Sequence, residues 1–178
     1  MALVEPTLVS KPAASKIFRS LFFHLLRERF AFISDTQLHP KADIQFNARH
    51  QSYHFQWPNA LWSVIYLPEN LTVKRVDNGS SVSECTINNT PVGYVVVNYA
   101  ESETRIIDLY VRQEFRGQGI ASQVLTQVIQ QSHKNNLPCI LTVGVENSAI
   151  TLYEKLHFIE VARTQTDILM KVAAPGSQ

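Results

Sequence analysis

Apolar residues recur along this chain with two different periods. In residues 14–30, Phe18, Leu21, Phe22, Leu25 and Leu26 fall three and four positions apart, which predicts a helix with one buried face. A weaker helical pattern covers residues 40–55 and is expected to stop in Tyr53-His54-Phe55-Gln56-Trp57-Pro58, because proline disfavours helix in the residue before it. From residue 61 the apolar runs become short, β-branched and aromatic. Residues 61–67, 92–99 and 104–111, set apart by polar stretches such as Asn88-Asn89 and Glu101-Ser102, read as consecutive antiparallel strands. A short start, residues 7–9, precedes the first helix. Between Pro68 and Pro91, residues 71–76 and 82–87 fit either an extra hairpin about Asp77-Asn78-Gly79 or an irregular loop. Ile120, Val124, Leu125, Val128 and Ile129 then share one face of a helix that closes in His133-Lys134-Asn135-Asn136. Residues 137–145 read as a buried strand and 147–157 as a short helix with Ala149, Leu152, Tyr153 and Leu156 on one side. Residues 158–163 and 167–172 read as closing strands. Strands paired first as hairpins and then joined through helices indicate a mixed α+β sheet with helices packed on it.

Composition narrows the class. The 178 residues suit a single domain, expected over 1–172, with Ala-Ala-Pro-Gly-Ser-Gln at 173–178 as a disordered tail. The 45% apolar and 17% charged content belongs to a chain that buries a core. Lys and Arg number 16 against 15 acids, so no bulk positive field exists to hold nucleic acid. Cys85 and Cys139 lie far apart without a Cys-x-x-Cys, and the histidines show no ligand spacing around them, so neither a metal site nor a disulfide framework is expected. No apolar run reaches the roughly 18–20 residues that span a bilayer, and residues 1–11 lack the features of a secretion signal. A cytoplasmic protein without membrane contact is the expectation, with a homodimer as the commonest oligomer.

The most informative segment is Leu109-Tyr110-Val111-Arg112-Gln113-Glu114-Phe115-Arg116-Gly117-Gln118-Gly119-Ile120-Ala121. A strand enters a turn from which a helix starts, so several amides lack an intrahelical partner and point outward. Such a turn holds anions: glycines let phosphate oxygens approach, and Arg116 adds positive charge. A turn that needs glycine only for its backbone angles fits the same residues. A dinucleotide fingerprint fits poorly, since Ser122 stands at its third glycine and the next strand offers no acid for a ribose.

The segment Arg116-Gly117-Gln118-Gly119-Ile120-Ala121 resembles the Gln/Arg-x-x-Gly-x-Gly/Ala loop of the GNAT family of N-acetyltransferases, and Asn147-Ser148-Ala149 through Leu152-Tyr153-Glu154-Lys155-Leu156-His157-Phe158 resembles its second motif. The resemblance implies the family's fold, a central twisted, mostly antiparallel sheet flanked by helices, with acetyl-coenzyme A as cosubstrate. It implies that Arg116 and the amides of Gly117, Gln118, Gly119, Ile120 and Ala121 hold the pyrophosphate. Leu109, Tyr110 and Val111 would offer strand backbone to the pantetheine arm, Asn147 would contact the coenzyme, and Tyr153 would face the thioester sulfur. Capping its helix is a further role for Asn147, and core packing the alternative for Tyr153. Two departures stand out: His157 replaces the glycine before the final phenylalanine, and Gly144 stands near where relatives often carry an acid.

Acetyl transfer to an amine needs an acid for the departing sulfur and a base for the amine proton. Tyr153 is the candidate acid. Asp108, an acid inside an apolar strand, is the candidate base, against the alternative that it pairs with an arginine such as Arg105 or Arg112. Tyr53, His54 and Trp57 are expected on the acceptor side, because the first two helices wall the acceptor site in this fold. The function so implied is N-acetylation of a primary amine on a small molecule, a peptide or a protein. The alternative is a noncatalytic acyl-coenzyme A sensor. An enzyme acting on aminoacyl-tRNA is disfavoured by the absence of a basic cluster.

Overall fold

A computed structural model of the chain describes residues 6–11, 16–67, 71–76, 82–87 and 91–176. Thr7–Ser10 (β1) leads to two helices, Lys16–Arg29 (α1) and Asp35–Gln56 (α2). Leu61–Tyr66 (β2), Leu71–Val76 (β3), Val82–Ile87 (β4), Pro91–Tyr99 (β5) and Thr104–Val111 (β6) follow. A short 3-10 turn, Gln113–Phe115, precedes Ile120–Lys134 (α3), Cys139–Gly144 (β7), Ile150–Lys155 (α4), Ile159–Arg163 (β8) and Asp167–Val172 (β9). The residues before Lys16 in the first expected helix, the expected Asp77-Asn78-Gly79 turn, the Asn88-Asn89 segment and the last two residues of the expected tail lie outside the described residues.

Seven strands form one sheet in the order β1-β2-β5-β6-β7-β9-β8, antiparallel throughout except for the parallel β6–β7 pair joined through α3. Strands β3 and β4 pair with each other, Leu71 opposite Ile87 through Val76 opposite Val82, so the hairpin alternative holds and stands apart from the main sheet. The sheet has a core on each face. On one face Val95, Ile106 and Leu141 of the sheet and Phe158 cluster with Val124 and Leu125 of α3; on the other Trp62, Val64 and Tyr94 of the sheet cluster with Phe18 and Phe22 of α1 and Phe46 of α2.

Helix α2 starts at Asp35, five residues before the expected start at Pro40. Proline removes one hydrogen bond and is the residue expected at a helix start. Here packing outweighs that cost: Leu38, 1% exposed, continues the stripe of Ala42 and Phe46 into the core, and the Ser34 carbonyl accepts the Leu38 amide at 2.9 Å. Helix α4 is shorter than the expected 147–157. Asn147 to Ala149 form a turn ahead of it, and its C-terminus closes with the Phe158 amide on the Tyr153 carbonyl and the His157 amide on the Glu154 carbonyl, both 3.0 Å. Among the described residues no helix is long and apolar enough to cross a membrane.

One irregularity in β6 positions the chemistry. Val97 lies opposite Ile106 and Val96 opposite Asp108, so Ile107 is an extra residue, a β-bulge. The bulge resets the alternation: Leu109 and Val111 pack on the α3 face, while Ile107 and Tyr110 pack on the α1–α2 face. Asp108 shares that second face, where residues from α2 and β5 meet it.

Candidate active site

The parallel β6–β7 pairing runs only from Thr104–Cys139 to Ile106–Leu141, although β6 continues to Val111 and β7 to Gly144. Past Ile106 the two strands part. The opening is a cleft of about 770 Å³ between Leu109, Tyr110 and Val111 on one side and Asn147, Ala149, Leu152 and Tyr153 on the other. The turn into α3 and Leu25 of α1 complete its lining. Of the residues expected at the coenzyme, Arg116, Gly117, Gly119, Ile120 and Ala121 also line it; Gln118 does not, and its side-chain amide turns to the Glu114 carbonyl.

Gly119 is the residue before α3 and adopts φ +78°, the left-handed region that costs other residues about 1–2 kcal/mol. That kink starts the helix abruptly. The first intrahelical bond runs from the Gln123 amide to the Gly119 carbonyl, which leaves the amides of Ile120, Ala121 and Ser122 open at the cleft. Gly117 has φ +74°, and a Cβ built on it would meet nothing within 4 Å, so space lies open over the loop. Those features fit a pyrophosphate gripped by backbone amides. Arg116 lines the same cleft, yet its guanidinium is engaged elsewhere: Nε donates to the Val111 carbonyl at 2.8 Å and Nη2 to Glu28 at 2.6 Å. Glu28 also accepts the Tyr110 hydroxyl at 2.7 Å and the Gln113 amide at 3.1 Å.

Across the cleft, the Asn147 side chain accepts the Ala149 amide at 2.9 Å, so it does brace the turn into α4 while lining the cleft. Tyr153 packs edge-on against Phe158 at 5.9 Å and lines the cleft. Burial, and then the negative charge of Asp108, push its phenol above the ordinary tyrosine value, so it carries its proton at neutral pH. His157 supplies the expected sharp turn without glycine by adopting φ +65° itself.

Asp108 pairs with an arginine, and the partner is Arg49 of α2, 3.0 Å away, rather than Arg105 or Arg112, which pair with Glu103 and Glu114. The same Oδ2 accepts the Tyr94 hydroxyl at 3.0 Å and the Tyr53 hydroxyl at 3.4 Å. Among the described residues no donor reaches Oδ1. Burial raises the Asp108 carboxyl above the ordinary carboxylate value, and the Arg49 charge and the three hydrogen bonds only partly offset it.

The expected acceptor set is divided. Tyr53 joins Asp108, whereas His54 and Trp57 line a separate groove of about 380 Å³ with His50 and Trp62 beside β1 and β2. Glu28, Arg49 and Tyr94 were not among the expected site residues. Two carried a signal: Glu28 follows Leu21 and Leu25 on the buried stripe of α1, and Arg49 follows Ala42 and Phe46 on that of α2, places where a charge needs a partner.

The family model described as acetyltransferase (GNAT) matches residues 40–158, the span that holds the loop, the bulged strand and both motifs. The chain belongs to the acetyltransferase (GNAT) family. Over 97 residues it is 34% identical to an uncharacterized N-acetyltransferase of Methanocaldococcus jannaschii, a match covering 49% of this chain and 42% of that protein's length. Two solved structures share the fold of this GNAT chain. The PaiA N-acetyltransferase of Thermoplasma acidophilum, in complex with coenzyme A, is 13% identical with a TM-score of 0.60 over 97% of this chain and 99% of its own. A GNAT family acetyltransferase of Elizabethkingia anophelis, with acetyl-CoA bound, is 17% identical with a TM-score of 0.56 over 95% and 98%. Among the described residues no group of three or more His, Cys, Asp or Glu could hold a metal ion.

Proposed function

We propose that this protein transfers an acetyl group from acetyl-coenzyme A to a primary amine. The observation that carries the reading is that the open amides at the start of α3 and the protonated Tyr153 phenol line one cleft, where β6 and β7 part. The pyrophosphate is held by the amides from Gly117 to Ala121, the pantetheine arm follows the backbone of Leu109 to Val111, and Asn147 contacts the coenzyme. The coenzyme supplies a thioester whose carbonyl carbon bonds to the amine nitrogen as its C–S bond breaks. Asp108 Oδ1 takes the amine proton, and the Tyr153 hydroxyl gives its proton to the departing sulfur, so charge balances across the step.

The two groups support each other. Burial, and then the Asp108 charge, favour the protonated Tyr153 phenol, and burial brings Asp108 toward a more basic carboxylate. Tyr53, bonded to Asp108, stands on the acceptor side; His54 and Trp57 act only on an acceptor long enough to reach their groove. Amine-dependent thiol release, measured on a panel of amino acids, polyamines, peptide N-termini and lysine peptides, tests the proposal. Turnover on at least one amine is expected. Coenzyme binding without turnover on any would leave an acyl-coenzyme A-binding module instead.

A further inference from the structure

Glu28 gathers three donors that come from separate pieces of the coenzyme end of the cleft: the Tyr110 hydroxyl from β6, the Gln113 amide from the 3-10 turn and the Arg116 guanidinium from the loop. Its own place is in the last turns of α1, three residues beyond Leu25, which lines the cleft. The carboxylate is 19% exposed, and Tyr110 is 4% exposed. A carboxylate so placed could serve a buried helix face alone, yet every donor it takes belongs to the segment that turns β6 into α3. Arg116 is further tied by its Nε to Val111, so both ends of its guanidinium hold the turn's shape.

From this geometry we infer that Glu28 is a positioning residue for the coenzyme loop, acting through Arg116, Tyr110 and the Gln113 amide. The inference rests on the reading that the loop holds the coenzyme. Its content is a division of labour. The amides from Gly117 to Ala121 supply the grip on the pyrophosphate, and the Arg116 charge, already met by Glu28, serves as a strut rather than a free anion clamp. Loss of Glu28 leaves the phenol, the amide and the guanidinium without their shared acceptor, and the loop loses its fixed shape. Tyr153 lies on α4 against Phe158, and Asp108, although on β6 with Tyr110, is held separately by Arg49, Tyr53 and Tyr94, so the chemical step is spared.

Calorimetric titration of coenzyme A into the unchanged protein, Glu28→Ala, Glu28→Gln, Arg116→Ala and the Glu28→Ala/Arg116→Ala double variant tests this, with thermal melts to establish folding. Glu28→Ala is expected to weaken coenzyme A binding about tenfold, and Glu28→Gln, which keeps an acceptor for Tyr110 and Gln113, about threefold. The double variant should bind no more weakly than Glu28→Ala, since both residues act as one unit. In steady-state assays of Glu28→Gln, KM for acetyl-coenzyme A should rise with Kd while kcat shifts less than about twofold. If Glu28→Ala does not fold, Glu28→Gln decides alone. Unchanged affinity in the Glu28 variants, additive losses in the double variant, or tighter binding by Glu28→Gln, the mark of a carboxylate that merely competes for Arg116, overturns the inference and leaves the coenzyme reading intact. No binding of coenzyme A by the unchanged protein overturns both.

Discussion

The cleft wall proposed for the coenzyme and the Asp108 wall, none of whose four residues lines that cleft, are made differently. The coenzyme wall is a continuous stretch of chain, from Leu109 to Ala121, that offers backbone amides from a left-handed glycine and a helix start. The Asp108 wall is assembled from side chains of three elements, Arg49 and Tyr53 from α2, Tyr94 from β5 and Asp108 from β6, up to 59 residues apart. A backbone-made surface tolerates most side-chain changes as long as its angles survive. A side-chain cluster loses a defined share of its function with each member. Substitutions on either wall can therefore break or sharpen the contrast.

The largest effect is expected between the walls, at Tyr153. Tyr153→Phe keeps the ring on Phe158 and removes only the acid, so turnover should fall by about 10²–10⁴-fold with coenzyme A affinity little changed. Full turnover under conditions where chemistry limits the rate would return Tyr153 to a packing role. On the coenzyme wall, Gly119→Val forces a β-branched residue toward φ +78° and should weaken coenzyme A roughly tenfold, with a far smaller loss for Arg116→Ala. Calorimetry showing the reverse order would make the side chain, not the backbone, the source of affinity.

The Asp108 wall should declare itself in its response to pH. Burial raises the phenols of Tyr53, Tyr94, Tyr110 and Tyr153 above the ordinary value of 10.0. In the unfolded chain they ionise near 10 while the fold keeps them protonated, so the stability they contribute is intact below pH 10 and is lost as pH rises through their folded values. Urea midpoints should fall steeply above pH 10, and a Tyr94→Phe/Tyr53→Phe variant should show a shallower fall. Tyr94→Phe also removes a hydrogen bond that lowers the Asp108 carboxyl, so the acidic limb of kcat/KM should move to higher pH. A limb that stays in place would show that Asp108 is not the base. The smallest effect lies away from both walls: His157→Gly relieves a left-handed residue at φ +65° and should stabilise the protein by up to about 1 kcal/mol in thermal melts, with activity unchanged.

Local chemistry explains which features were legible in the sequence. The helix-start loop, the Asn147 turn and Tyr153 are features of contiguous residues, and contiguous residues meet by default. Asp108 was visible as an acid in an apolar strand, but the strand's period alone would have turned it toward α3, and only the bulge at Ile107 carries it to Arg49. The start of α2 shows the opposite case. The apolar pattern alone places it near residue 40, and burial of Leu38, a term that exists only once α2 lies on the sheet, carries it back to Asp35.

The amino-acid sequence by itself determined the periodicities that build a helix-flanked, mostly antiparallel sheet, and the glycines and helix start that form a loop of open amides, because these depend on backbone preferences and side-chain spacing within a dozen residues. The tertiary structure alone decided that β6 and β7 part after Ile106 to open the cleft, that Arg116 turns to Glu28, and that Asp108 meets Arg49, Tyr53 and Tyr94 while His54 and Trp57 face another groove. Charges and hydroxyls with several arginines and acids within reach in sequence have no preferred partner until packing brings one of them within hydrogen-bond distance and excludes water from the rest.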